Sequence, residues 1–320
     1  MTPNSILPSP QSLPEFTRMF PDERACHQYL FKLRWPKGYV CPECGTDKYS
    51  WSEARRMIQC SNGHQAYLTA GTIMHRSHTP LQTWFYGAFL APTLTPGISA
   101  VQFQKQLGLS RYETAFQILH KLRAAMVDPD RGLLKGTVEV DETFVGGAKP
   151  GARGGRSTEH KTAVVGAVEV RKARDGGTYA GRLRLRTVPT TKGDVLTAFV
   201  KDHVEKGSKI STDAWVSYGK LMEDGYRHNA EVGAKLPIIH REFANLKTWL
   251  QGTHHGRIER QHLQTYLNEF CFRHNRRFWR FSAFQTVLRL GMNQGPQEYD
   301  DLYNADEYGR NVHVAGVVEG

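Results

Sequence analysis

Apolar residues recur at helical spacing from Leu13 to Trp35, with Phe20 ahead of Pro21 and then Cys26, Tyr29, Leu30 and Leu33 on one side. Residues 1–15 read as a loose lead. After this helical segment the pattern shortens into small strands and turns, and residues 80–92 then form an apolar helix. Residues 97–126 read as two helices around a tight turn: Ser99 with Gln102, and Ser110 with Glu113, have capping-box spacing, and Gly108 is placed to close the first helix. Ala115, Ile118, Leu119, Leu122 and Met126 make one helical stripe. The run "DPDRG" at 128–132 ends the pattern and marks a domain boundary. Beyond Gly136 the period changes to two, predicting strands at 137–145, 161–170 and 181–188, then a capped helix (Thr191, Asp194, Val195, Ala198, Phe199) and a strand at 208–215. A helix is expected from about 240, a last long one over 258–277, and a weakly structured acidic tail after 291. No internal repeat occurs. Strands, a helix, another strand and then helices predict an α/β fold with a mixed sheet.

A chain of 320 residues can hold two or three domains of about 100–200 residues each. The absence of a long apolar run excludes a membrane span, and the Pro- and Ser-rich start lacks the features of a signal peptide, so a cytoplasmic location is expected. The net charge of +11 favours a polyanionic partner, most simply nucleic acid. Five cysteines without a secretion signal point to metal rather than disulfides.

Cys41-Pro-Glu-Cys44 and Cys60-Ser-Asn-Gly-His64 are fifteen residues apart. Each short spacing sets two soft ligands at one turn, and two such turns complete a tetrahedron for Zn²⁺. Four protein ligands leave no open position, so the role is structural. His75 and His78 lie close by in sequence, and Cys26 and Cys271 read as core residues.

The helix pair at 97–126 is either a helix-turn-helix or an ordinary helical hairpin. In the first case Arg111, Tyr112, Thr114 and Gln117 would meet phosphates or base edges.

The first strand of the second half, "VEVDETFVGG", carries three acids. Period two puts Glu139, Asp141 and Thr143 on one face, with Glu142 on the valine side. Another acid, Asp213, ends the strand "STDAW". Two such carboxylates on neighbouring strands suit Mg²⁺ or Mn²⁺ in phosphoryl transfer. Alternatively these acids are edge residues, or pair with Arg153 or Arg156 in the Gly-rich loop that follows.

The zinc-ligand spacing, the helix pair, "VEVDETFVGG", "STDAWVSYGKL", "NLKTWLQGTHHG" and "HLQTYLNEFCFRHNRRF", in this order over residues 15–290, resemble the insertion-sequence transposases of the IS1595 kind with an ISXO2-like domain. The resemblance implies a ribonuclease H-like catalytic domain with a DDE-type site over 136–290, preceded by a lead and helix (1–35), a zinc ribbon (36–79) and a helix-turn-helix region (80–130). Asp141 and Asp213 match its first two acids. The third position departs from the pattern: seven residues before Lys247, two helical turns away on the same face, stands His240. Asn245 and Glu242 are rivals, and Glu259 and Glu269 remain open. Lys247 would contact DNA near the scissile phosphate.

Residues 240–290 hold nine Lys or Arg against three acids, so Arg273, Arg276 and Arg277 are expected at the phosphates of double-stranded DNA, the alternative being a solvated face that offsets the helix dipole. Leu263, Tyr266, Leu267 and Phe270 read as core, and Phe272, Phe278, Trp279 and Phe281 as packing. The implied activity is a transposase acting on element ends and target DNA, with a homo-oligomer on DNA expected. A zinc-ribbon DNA-binding regulator without catalysis, or a metal nuclease that does not join, are the competing functions.

Overall fold

The computed structural model describes residues 7–52, 55–146, 161–213, 221–231, 235–255, 258–298 and 301–302. The loop with Arg153 and Arg156, the Ala-Trp that follows Asp213 and most of the acidic tail lie outside these. Among the described residues no helix is long and apolar enough to cross a membrane. The chain forms two compact units: Met1–Asp128 with Phe278–Glu298, and Pro129–Arg277 with Tyr299–Gly320.

In the first unit Pro21 separates α1 (Leu13–Met19) from α2 (Glu23–Arg34), and Asp22 caps α2 by accepting from the Ala25 N–H at 2.8 Å. Three short antiparallel strands follow: β1 (Tyr49–Ser52), β2 (Met57–Cys60) and β3 (Gln65–Tyr67). Then come α3 (Leu81–Thr93), α4 (Ala100–Gln106) and α5 (Tyr112–Ala124). Ser99 caps α4 through the Gln102 N–H at 3.2 Å, and Gly108 takes the left-handed conformation (φ +62°) that closes it. Ser110 is not the cap of α5. That helix starts one residue later, with Arg111 at its cap position and no capping side chain. The expected stripe from Ala115 to Met126 is buried.

A further helix, α9 (Ser282–Asn293), joins this unit rather than the second, whereas the sequence pattern places residues up to 290 with the segment that begins at 136. Its Phe284 ring lies 5.4 Å from Phe20, 5.7 Å from Tyr29 and 5.6 Å from Phe85, in a cluster that ties α1, α2, α3 and α9 together. The signal was available in Ala283, Phe284, Val287, Leu288 and Leu290, all buried, but the preceding basic and aromatic run obscured it.

The second unit is built on one mixed sheet in the order β6-β5-β4-β7-β8. Its strands are β4 (Thr137–Gly146), β5 (Lys161–Lys172), β6 (Thr178–Val188), β7 (Lys209–Asp213) and β8 (Arg227–Glu231). β4 pairs antiparallel with β5 and parallel with β7. Helix α6 (Gly193–His203) bridges β6 and β7, and α7 (Pro237–His254) and α8 (Arg260–Asn275) follow β8. Alternation along the strands divides the core. Val138, Val140, Val165, Ala167 and Ile210 face Leu196, Phe199 and Val200 of α6, while Val164, Val168, Leu183 and Leu185 face Ile239, Phe243 and Leu246 of α7 and Leu267 of α8. Buried Glu169 holds the start of this unit, accepting from Arg182 (2.6 Å), Arg171 (2.8 Å) and the Lys135 N–H (3.1 Å).

Candidate active site and metal centre

Cys41, Cys44, Cys60 and His64 converge in the first unit, their ligand atoms all within 4.8 Å of one another. Cys44 Sγ to Cys60 Sγ is 3.7 Å, and His64 Nδ1 lies 3.7 Å from Cys41 Sγ and 3.6 Å from Cys60 Sγ. For metal–sulfur bonds of about 2.3 Å, a tetrahedron has edges of about 3.8 Å, so the four atoms fit a structural zinc ion. Each pair sits on a turn closed by a glycine in the left-handed region: Gly45 donates to Cys41 O and Gly63 to Cys60 O. Burial pushes the Cys41 thiol up, but backbone N–H groups of Cys44 and Glu43 outweigh it and bring the pKa down to about 6, which favours the ligating thiolate. Cys26 and Cys271 are buried away from this group as core residues. His75 is not one of the four ligands, and its Nδ1 accepts instead from the Gly71 N–H at 3.2 Å.

The acids of the second unit lie on the α7 face of the sheet. Asp141 pairs across β4–β5 with Gly166. A Cβ on that glycine would come within 2.7 Å of Phe243 and 3.0 Å of Ile239, so the bare backbone lets α7 settle close beside Asp141. Glu139, two residues earlier on this face, is 6% exposed, and its Oε2 accepts from the N–H groups of Ile238 (2.9 Å) and Ile239 (2.8 Å). These are orphan donors of the first turn of α7, which has no capping side chain of its own. A carboxylate some hundred residues away in sequence therefore caps the helix, and the helix dipole favours its charge. Burial still pushes the Glu139 carboxyl above its ordinary range.

This anchor sets His240, one residue past the capped turn, against Asp141: His240 Nε2 lies 2.9 Å from Asp141 Oδ2. Asp213 comes from the parallel neighbour. Glu139 pairs with Ser211, and Asp141 and Asp213 each lie two residues further along their strands, near enough for the Asp213 charge to act on Asp141. Burial raises the Asp141 carboxyl above its usual value, and the negative charge of Asp213 adds to the rise, against the Glu142 N–H and His240, which lower it. Oδ1 of Asp213 is buried with no hydrogen-bond partner among the described residues.

Two desolvated carboxylates side by side, one with an orphaned oxygen, repel each other unless a cation lies between them or one takes up a proton. Their oxygen donors suit a hard divalent ion.

Of the other candidates for the third position, Glu242 is buried and accepts from His274 Nδ1 at 3.0 Å, and Asn245 Nδ2 reaches that same carboxylate at 3.4 Å. Burial pushes Glu242 up, but the His274 hydrogen bond outweighs it and holds the carboxyl below its ordinary value. Glu269 is fully buried and lies 3.4 Å from Arg273, while Glu259 is at the cap position of α8. Lys247 is exposed on α7, two turns beyond His240.

The basic cluster at the end of α8 is engaged within the fold. Arg273 contacts Glu269 and lies 6.0 Å from the Trp249 ring centre, and Arg276 stacks over Phe272 at 3.9 Å. Arg277 donates to the His274 carbonyl at 2.8 Å and to the Ala180 carbonyl. The expected α8 stripe and Phe272 are buried. Phe278 and Trp279 are not packed as expected: they are 65% and 70% exposed, because α8 ends at Asn275 and they fall in the turn beyond it, off any inward helical face. At the start of α5, Arg111 and Tyr112 are exposed.

Two family models match this chain: the ISXO2-like transposase domain over residues 133–275, and the transposase zinc-ribbon domain over residues 21–64. A protein of Halobacterium salinarum, described as an uncharacterized protein in transposable element ISH50, is 24% identical over 286 residues, covering 80% of this chain and 92% of its own.

Proposed function

We propose, from the matches to the ISXO2-like transposase domain and the transposase zinc ribbon on one chain, that the protein is a transposase of the IS1595 kind that cuts and joins insertion-sequence ends in double-stranded DNA by divalent-metal-dependent phosphoryl transfer. The observation that carries this reading is the meeting of Asp141 with His240 at 2.9 Å, within reach of the charge of Asp213 and its orphaned oxygen.

The order β6-β5-β4-β7-β8, with β4 central, antiparallel to β5 and parallel to β7, supports a ribonuclease H-like arrangement. Asp141 and Asp213 would hold Mg²⁺ or Mn²⁺, with His240 completing the site. A bound divalent ion supplies charge neutralisation at the reacting phosphate and activation of the attacking oxygen. In the first step water attacks the phosphorus at the element end and breaks its P–O3′ bond, leaving a 3′-hydroxyl on the element; in the second that 3′-oxygen attacks a target phosphorus and expels the target 3′-oxygen as a hydroxyl, so one phosphodiester forms as one breaks. Lys247, on the exposed face of α7, contacts the backbone near the scissile phosphate. Arg273, Arg276 and Arg277 first hold α8 in place, and any contribution to DNA comes from the edges that this packing leaves. The zinc ribbon and the α4–α5 pair, read as a helix-turn-helix, bind element ends, and the protein works as a homo-oligomer on DNA.

The test is joining of pre-cut element ends to a target plasmid with Mg²⁺. D141N is expected to lose joining by about a hundred- to a thousandfold, since an electrostatic group at the reacting centre is removed. Equal joining by D141N and the unaltered protein would falsify the catalytic reading. Hydrolysis of the ends without joined product would instead make the protein a nuclease.

A further inference from the structure

The first unit contains a groove of about 690 Å³ whose described lining includes Arg55, Arg56, Arg76, His75 and His78 and no carboxylate. All but half-buried His75 are exposed. Its walls are fixed from behind. Arg34, in the last turn of α2, donates to the carbonyls of Tyr67, Leu68 and Ala70 and pins one side. Glu23 accepts from the N–H groups of Leu81 (3.0 Å) and Gln82 (2.8 Å) and pins the other. The Gly71 N–H donates to His75 Nδ1, so the proton of the neutral ring sits on Nε2 and makes that nitrogen a donor.

The backbone adds a second, independent sign. Among the described residues three non-glycine positions have positive φ, and two are the groove arginines Arg56 (φ +51°) and Arg76 (φ +54°). This conformation is unfavourable for a side-chain-bearing residue, and such strain persists where the surroundings impose it, often at binding sites. Here it occurs twice in one concavity, at guanidiniums whose planar forks match phosphate oxygens.

We propose that this groove is a docking surface for the sugar–phosphate backbone of duplex DNA, distinct from the α4–α5 pair. The proposal rests on the reading of the protein as a DNA transposase and adds where the ribbon unit grips its substrate. Guanidinium and imidazole donors over a concave wall, with Glu23 beside Arg56 but already accepting from the Leu81 and Gln82 N–H groups, give contacts that position the protein without reading sequence.

Arg56 lies 4.0 Å from Glu23, so the primary variant is R55Q/R76Q, which leaves that pair in place. Full-length protein is titrated against a short fluorescein-labelled duplex of arbitrary sequence at several salt concentrations. Each lost phosphate contact lowers the slope of log K against log salt by about 0.9, so the double variant should be shallower by about 1.8. A variant of equal charge change elsewhere, K172Q/K206Q, should keep the wild-type slope. An unchanged slope in R55Q/R76Q with zinc retained, or an equal change in K172Q/K206Q, overturns the proposal. Should the double variant lose zinc, the unaltered protein decides: dicarbonyl modification of arginines, read residue by residue by mass spectrometry, should find Arg55 and Arg76 protected by duplex, and lack of protection overturns the surface. Failure of the unaltered protein to bind any duplex would remove the transposase reading as well, whereas binding without involvement of these arginines removes only the groove.

Discussion

The two compact units are held together by different means. The first has a sheet of three short strands, and its coherence comes from side chains: four metal ligands and a cluster of rings around Phe284. The second has a five-stranded sheet whose backbone ladder and aliphatic faces do most of the holding. Among the described residues its buried acids each have a specific partner: Glu169 on arginines, Glu139 on a helix end, Glu242 on His274 and Glu269 on Arg273. A small region that cannot bury enough apolar surface needs a metal or a dense aromatic contact, whereas a sheet-based core can carry desolvated carboxylates where chemistry requires them. The charged site is accordingly expected in the second unit and the fragile fold in the first.

Zinc removal breaks this contrast most strongly. Apparent zinc binding energies in zinc-finger peptides are about 10–16 kcal/mol, and that energy is folding energy. C60S should lose its zinc and the β1–β3 signals in a backbone NMR spectrum, while signals from β4–β8 persist. Retention of stoichiometric zinc, or collapse of both units together, would show that the division is wrong.

Next is the aromatic cluster. F284A removes a fully buried ring and should destabilise the first unit by about 3–5 kcal/mol in urea titration. A loss below about 1 kcal/mol would mean that α9 is not part of that core.

The third prediction addresses the charges of the second unit. Burial pushes Glu169 up, but the Arg182 and Arg171 hydrogen bonds outweigh it and hold the carboxyl at about 2, against an ordinary value of 4.5. A depressed carboxylate stabilises the native state above the unfolded pKa, and that stabilisation is lost as pH falls from about 4.5 towards 2. E169Q should therefore cost on the order of 3 kcal/mol at neutral pH, and the gap to wild type should narrow at pH 3. A gap independent of pH would assign the effect to packing alone.

Smallest in stability is E139Q. It keeps the shape but removes the charge at the α7 N-terminus, a change of about 1 kcal/mol. Its main effect is expected on the neighbouring site, where Mn²⁺ affinity should fall roughly tenfold, as for outer partners of metal ligands. Because Asp141 titrates above the ordinary carboxylate range, Mn²⁺ binding by the unaltered protein should weaken as pH falls through that raised value. Unchanged Mn²⁺ affinity in E139Q would reduce Glu139 to a structural cap.

Much of this was legible in the chain. Cysteine spacing over two turns is local geometry, so the ligand set could be read from order alone, and the structure gathers those four atoms. Period-two alternation placed Glu139 and Asp141 on one face, and Gly108 marked the end of α4 because few residues adopt its conformation. The task of Glu139 was not legible: nothing near it in sequence is the α7 N-terminus, and a cap from about a hundred residues away leaves no local pattern. The arginines at 273–277 resembled a free basic patch because charge is visible in sequence whereas the carbonyls and rings that engage it are not.

What the sequence determined by itself, then, is whatever short-range stereochemistry dictates: helix and strand periods, turn closure, and zinc ligands within a few bonds of one another. The tertiary structure alone decided which carboxylate caps α7, that His240 rather than Glu242 meets Asp141, and that α9 packs in the first unit. Those outcomes depend on strand register and on space left at positions such as Gly166, and both are properties of elements packed together, not of neighbours along the chain.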